Sequence, residues 1–363
     1  MKFDSNKNII EPELQTMVTL ASALTFVDFG LIIFGNGMSK YKFCKETSKK
    51  NIKICSSPYV EKTEKRDITE FKIKYRKAIK KFIKTINYKL PHVSLNVFLY
   101  NFKELEIEEK EKYIRKSNKN VVGEYSILNR LITLIKGDKS KSIYHELLHA
   151  ASSFAYNNVL YTGFKQVFFK DKKTYSIGNG LNEGYTALLD KRYFNQNSSK
   201  ESYELERKIA SILETIFGKE LMETLYFRAD LYTLTKMMGK YKSEEEILTF
   251  YKELDYLSKH KDKIFWFEVQ KRQCLNCLEF CGKFLLELFM KSIIDYIDSK
   301  TNIDIALEML KNVYINFGRL LQTKVTISGK EYSILKDKKI SKIIDNFIEE
   351  TKIKTLSKKN FIG

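Results

Sequence analysis

The chain has 363 residues, 43% of them hydrophobic and 13% aromatic, with only 3 prolines and 15 glycines. That composition excludes a disordered tail, a collagen-like array and a low-complexity linker, and it leaves a folded, helix-rich protein. Lys and Arg number 64 against 45 Asp and Glu, a net charge of +19 that favours anionic partners.

The charge excess is uneven: residues 39–90 hold 17 basic and 5 acidic side chains, a local net of +12. Between Glu13 and Lys40 the only charged residue is Asp28. Residues 14–38 are long enough to span a bilayer, but a central aspartate costs roughly 2.5–3.5 kcal/mol, about enough to cancel insertion. Leu20, Leu24, Val27 and Leu31 also form a stripe with Thr19, Ser22, Thr25 and Asp28 off it, as in a half-buried soluble helix. The expectation is a cytoplasmic protein. The alternative is a membrane anchor at 14–38 with the catalytic part in the cytoplasm, and an anionic surface is expected to meet residues 39–90.

Five cysteines form no disulfide framework and fit a reducing compartment. Cys274, Cys277 and Cys281 share one helix face with Leu278, Phe284 and Leu285 and read as small core residues.

In chain order, residues 67–88 predict a helix opened by an Asp67–Glu70 capping box, with Phe71, Tyr75, Ile79, Phe82 and Ile86 as its apolar stripe. Its opposite face is almost all lysine and is read as solvated. Val93, Leu95, Val97 and Leu99 alternate with their neighbours and predict a strand. Two short strands follow, around Tyr125 and from Leu131 to Ile135, joined near Leu128–Arg130. Gly137–Ser140 supplies a turn and an N-cap, and an apolar helix is expected from about Ser140 to Tyr156. A hairpin over Gly163–Phe169 and Thr174–Ile177, turning at Lys170–Lys173, ends at Gly178-Asn179-Gly180. A helix from about Asn182 to Tyr193 comes next. The chain is then helical from Glu201 to about Ser299, with breaks near Gly218, Gly239 and Lys259–Lys263. The last third is helical except for a hairpin at Val325–Leu335 about Gly329. The fold class is therefore α+β and mostly helical, with an N-terminal segment (1–90), a central core (91–200) and a helical C-terminal region (201–363).

The segment His145-Glu146-Leu147-Leu148-His149 carries the chemistry. Two histidines four apart on a helix project from one face a turn apart and can share one zinc, while a glutamate beside them can reach the metal's water as general base. The helix is apolar on most sides, through Ile143, Leu147, Ala150 and Phe154 and through Leu148, Ala151 and Ala155. Burying two imidazoles and a carboxylate there without partners is costly, and metal ligation offsets that cost. Glu146-x-x-His149 also fits half of a carboxylate-bridged di-iron site, but neither His92 nor His260 has the glutamate needed for the second half. A third histidine six residues after His149 would mark a metzincin, and Ala155 stands there.

Asn182-Glu183-Gly184-Tyr185-Thr186 opens the next helix, 34 residues after His149 at its glutamate. With these two motifs, about residues 120–195 resemble the gluzincin zinc metallopeptidases, in which H-E-x-x-H is completed by a glutamate on a following helix. The resemblance implies a zincin-like core, one zinc held by His145, His149 and Glu183, Glu146 as general base, and a strand before the first helix that holds an extended peptide. Glu201 and Glu204 are the alternatives for the third ligand. The pattern departs from thermolysin-like members at Ala187, where they carry an aspartate that orients a histidine; Thr186 or Asp190 is the expected substitute. Tyr185, Tyr226 and Tyr232 are the candidates to stabilise the oxyanion, and His92 and His260 are assigned no chemistry. The expected function is zinc-dependent hydrolysis of a peptide or protein substrate. A zinc-stabilised, non-catalytic scaffold binding nucleic acid or anionic membrane is the alternative from another class, and a zinc hydrolase of non-peptide amides shares the same residues.

Overall fold

The computed structural model describes residues 54–58, 67–111, 122–137, 142–170, 173–194, 203–262, 268–294 and 303–360. The expectations for the 14–38 segment, the turn at Asp138–Ser140 and Glu201 lie outside them. Among the described residues no helix is long and apolar enough to cross a membrane. The architecture is α+β and mostly helical, as the periodicities predict.

The chain forms two compact units. The first takes the described residues up to Ile177 together with those of Thr186–Lys200 and Glu220–Leu234. It begins with a short 3-10 turn, Ile68–Glu70, capped by Asp67, whose side chain accepts from the Thr69 amide. The α-helix itself, α1, runs Ile73–Lys89, so the cap serves the turn and not the long helix. Phe71 and the stripe Tyr75, Ile79, Phe82 and Ile86 are all buried, as expected.

The strand expected after Pro91 is instead a helix, α2, spanning Asn96–Phe102. Its buried residues are Val97, Phe98, Asn101 and Phe102, spaced three and four apart. An apolar run this short carries both periods, and tertiary packing selects between them. Phe98 lies between the Phe82 and Phe102 rings, with centroids 5.1 and 5.3 Å away, so α2 is held by the stripe of α1.

Strands β1 (Glu106–Lys110), β2 (Gly123–Ser126) and β3 (Leu131–Ile135) form a sheet in the order β1-β3-β2, with β1 parallel and β2 antiparallel to β3. The two strands expected around Tyr125 and Leu131 are both present. Central β3 is the most buried of the three, and β2 is an edge among the described residues.

Helix α3, Ile143–Ala151, is shorter than its apolar pattern predicts. The remainder of that pattern is strand β4 (Ser153–Tyr156), paired in one antiparallel sheet with β5 (Val159–Thr162), β6 (Lys165–Lys170) and β7 (Lys173–Ile177). Two features stop the helix. The Asn101 amide of α2 donates to the Ala150 and Ser153 carbonyls, at 2.7 and 2.5 Å, and so satisfies acceptors that another turn would have used. Asn157 and Asn158 then adopt positive φ of 47° and 60°, the left-handed pair of a tight hairpin, which turns β4 back into β5. The β6–β7 hairpin matches the expected one.

Helix α4 runs Asn179–Phe194. It gives its first turns to the second unit and its remainder to the first. The second unit also contains α5 (Glu204–Phe217), α8 (Glu244–His260), α9 (Glu268–Ile294), α10 (Ile303–Leu321), the hairpin β8 (Lys324–Ile327) and β9 (Lys330–Ser333), and α11 (Asp337–Asn360). Helices α6 (Lys219–Phe227) and α7 (Leu231–Met238) lie between α5 and α8 in the chain. Breaks fall at Gly218 and Gly239 as predicted. A further one at Ala229 (φ 52°) was hidden because a non-glycine residue takes the left-handed position, followed by Asp230, which caps α7 through the Thr233 amide. Ser328 and Gly329, both at positive φ, turn the last hairpin. Cys274, Cys277 and Cys281 are buried on α9, and burial pushes the Cys277 and Cys281 thiols up, so they are neutral core groups.

Candidate metal centre

Every residue of α3 is buried, including His145, Glu146 and His149 at 9%, 5% and 8% exposure. These polar groups are therefore as enclosed as the core around them, which is stable only where each finds a partner. The outer aromatic of the helix, Tyr144, stacks on Phe194 of α4 with ring centroids 4.7 Å apart.

The Nε2 atoms of His145 and His149 stand 3.2 Å apart, with the rings nearly perpendicular. Two nitrogens bound at 2.0–2.1 Å to one tetrahedral zinc are about 3.3 Å apart. Half-buried Glu183 of α4 completes the group: one ligand atom from each of His145, His149 and Glu183 lies within 4.8 Å of the others. A single imidazole–imidazole hydrogen bond would also account for 3.2 Å, but it gives no reason for a carboxylate oxygen to converge on the same point. Among the described residues this is the one group of three such side chains arranged to hold a metal. Glu204, an alternative third ligand, is instead ion-paired with Lys208 at 2.6 Å on α5.

Glu183 is placed by close backbone packing within the second unit. A Cβ on the next residue, Gly184, would lie 2.3 Å from the Glu206 carbonyl oxygen of α5, and one on Gly180 would lie 2.7 Å from the Leu254 carbonyl of α8. Only glycine permits these approaches. Asp255 of α8 accepts from the Gly178 and Gly180 amides at 3.0 and 2.7 Å, fixing the start of α4. Behind Gly184, both oxygens of buried Glu206 accept from the Lys261 ammonium, at 2.5 and 2.6 Å. None of these supports carries a motif, so sequence reasoning missed them.

Of the two substitutes for the missing aspartate, Thr186 is engaged with the Tyr226 hydroxyl at 2.7 Å. Asp190, one turn further along α4, is 1% exposed and neither of its oxygens has a hydrogen-bond partner among the described residues. Burial pushes its carboxyl up to about 6, and His145 pulls in the opposite direction. Of the two, Thr186 is thus already engaged, and Asp190 is buried without a hydrogen bond to a histidine of the group. Among the tyrosines, the Tyr185 hydroxyl is committed to Glu214 at 2.8 Å, Tyr226 bonds the Glu183 side of α4 through Thr186, and Tyr232 is half-buried on α7. His92, assigned no role, pairs with buried Glu223 of α6 at 3.0 Å, and Glu223 also receives Arg192 and Tyr193 from the end of α4. His260 stacks on Tyr256.

Gly123 of β2 is a site residue that the motif did not reveal. A Cβ there would come 2.7 Å from Glu146 Oε1 and 3.0 Å from Ser142 Oγ, so its absence is what seats the Glu146 carboxylate against the edge strand. A glycine inside a strand is the signal that could have found it. If the group binds a metal and Glu146 acts on its water, Gly123→Ala is expected to keep the metal and to lower turnover roughly tenfold to a hundredfold by displacing that carboxylate. Metal content and kcat measured on one preparation check this, and an unchanged kcat would show that the contact is irrelevant.

Compared with family models, curated proteins and solved structures, the chain matches none. The gluzincin resemblance therefore rests on the two motifs alone.

Proposed function

We propose that the chain is a zinc-dependent peptidase that holds its metal through His145, His149 and Glu183 and uses Glu146 as general base. The observation that carries this reading is the convergence of two imidazoles and a carboxylate from α3 and α4, with a buried glutamate one residue after the first histidine. A zinc ion there would lower the pKa of a water to about 7 and polarise the scissile carbonyl.

The chain's own groups then have these tasks. Glu146 accepts the proton of the attacking water on its carboxylate and hands it to the leaving amine. The edge of β2 supplies main-chain groups for an extended peptide. The Ile135 amide donates to the Val122 carbonyl, so by antiparallel alternation Glu124 and Ser126 also bond β3, and the N–H and C=O of Gly123 and Tyr125 face outward. A strand added there would run beside Glu146. The strand directly before α3 in sequence, β3, is central and has no free edge for this.

The test is metal content by mass spectrometry on the wild type, His149→Ala and Glu183→Ala, with circular dichroism to verify folding. One zinc per chain, lost in both variants, is the expected result. Full zinc in Glu183→Ala would remove the third ligand, and a metal-free wild type under zinc-replete conditions would end the peptidase reading.

A further inference from the structure

We infer that the solvent face of α1 is a docking surface for an anionic lipid bilayer. With Tyr75, Ile79, Phe82 and Ile86 buried, the opposite side of the helix presents Ile73, Lys77, Lys80, Lys84 and Tyr88, spaced at 4, 7, 11 and 15 residues from the first. All five are exposed, Ile73 at 69% and Tyr88 at 82%. The helix contains no acidic residue, and among the described residues Lys77, Lys80 and Lys84 make no ion pair.

The order along this face favours lipid as the occupant. Ile73 and Tyr88 are about 22 Å apart along the axis and bracket the lysines. An aliphatic chain and a tyrosine fit the boundary between headgroups and acyl chains, while lysines on flexible stems reach anionic headgroups around them. Polynucleotide binding gives no reason for an exposed isoleucine, and the helix's one arginine, Arg76, is turned inward to bond the Phe71 carbonyl. In sequence, the nearly uncharged residues 14–38 and the basic run after them lead into this helix. The inference does not depend on the peptidase reading.

The experiment measures binding of the full chain to vesicles of phosphatidylcholine alone and of phosphatidylcholine with phosphatidylserine, at low and high salt. Any contribution from residues 14–38 is common to both compositions, so the serine-lipid increment reads the charged face. The triple variant Lys77→Gln/Lys80→Gln/Lys84→Gln is expected to lose roughly a hundredfold of that increment, about fivefold per lysine, with an unchanged circular dichroism spectrum. Ile73→Ser/Tyr88→Ser is expected to weaken vesicle binding and leave binding to a single-stranded polynucleotide unaltered. Equal serine-lipid binding by wild type and the triple variant would overturn the proposal. So would a wild type that ignores serine lipid but binds polynucleotide through the same three lysines.

Discussion

Glu146→Gln is expected to lower peptide hydrolysis by roughly 10²–10⁴-fold while leaving the zinc stoichiometry intact. The amide has the volume and shape of the carboxylate, so the buried position beside Gly123 is filled as before. Glutamine cannot take up the proton that an attacking water would lose, and the proposed metal ligands are on other residues. The measurement is turnover of a peptide library by zinc-loaded wild type and variant, with metal quantified in the same samples. A zinc-loaded Gln variant that turned over at the wild-type rate would remove Glu146 from the mechanism. Loss of zinc in that variant would instead make Glu146 a ligand. The contrast with Gly123→Ala separates chemistry from position: the first change removes the base, and the second only moves it.

Lys261→Met is expected to destabilise the second unit by about 3–5 kcal/mol, the usual penalty for stranding one member of a buried ion pair. Lys261 is the group that bonds both oxygens of Glu206, and both side chains are enclosed. Burial holds the Glu206 carboxyl above the ordinary carboxylate range, and Lys261 opposes that shift. Without the lysine the largest influence opposing burial is gone, and with only the Ser258 and backbone hydrogen bonds left to oppose it the folded-state pKa rises further. A carboxyl raised in the folded state contributes stability below its unfolded pKa and loses it as pH rises through the folded one. The deficit is therefore expected to be larger at about pH 8 than at about pH 5. Urea unfolding at the two pH values reads this directly, and a deficit independent of pH would mean that Glu206 stays charged without its partner. The double variant Glu206→Leu/Lys261→Met is expected to recover most of the loss, because it removes both charges together. Since Glu206 lies against Gly184, the single variant is also expected to weaken zinc binding, which ties the stability of α5 to the placement of Glu183.

Periodicity located most helices and both long hairpins, since stripes such as Tyr75 to Ile86 and turn residues such as Gly329 act over a few neighbouring positions. It misread two short apolar runs. Residues 93–99 satisfied the strand period as well as the helix period, and with Phe98 against Phe82 the segment is helical from Asn96 onward. Residues 152–156 continued the stripe of α3, yet the Asn101 side chain and the left-handed Asn157-Asn158 pair ended the helix and began a sheet. In each case one deciding partner, Phe82 or Asn101, lies outside the run, where its own pattern does not record it.

The same division holds at the centre. The sequence by itself offered the two histidines and the adjacent glutamate, because a shared metal needs such side chains at helical spacing, and the resemblance to gluzincins added Glu183; in the structure the two imidazoles and that carboxylate come together. Which strand is an edge among the described residues, and how Glu146 and Glu183 are held, were decided only by tertiary structure. Those places are taken by β2, Gly123, and Gly184 against Glu206 and Lys261. Each depends on where two distant backbones come within a few ångströms of one another, and close approach is a property of packing in three dimensions that a one-dimensional pattern does not carry.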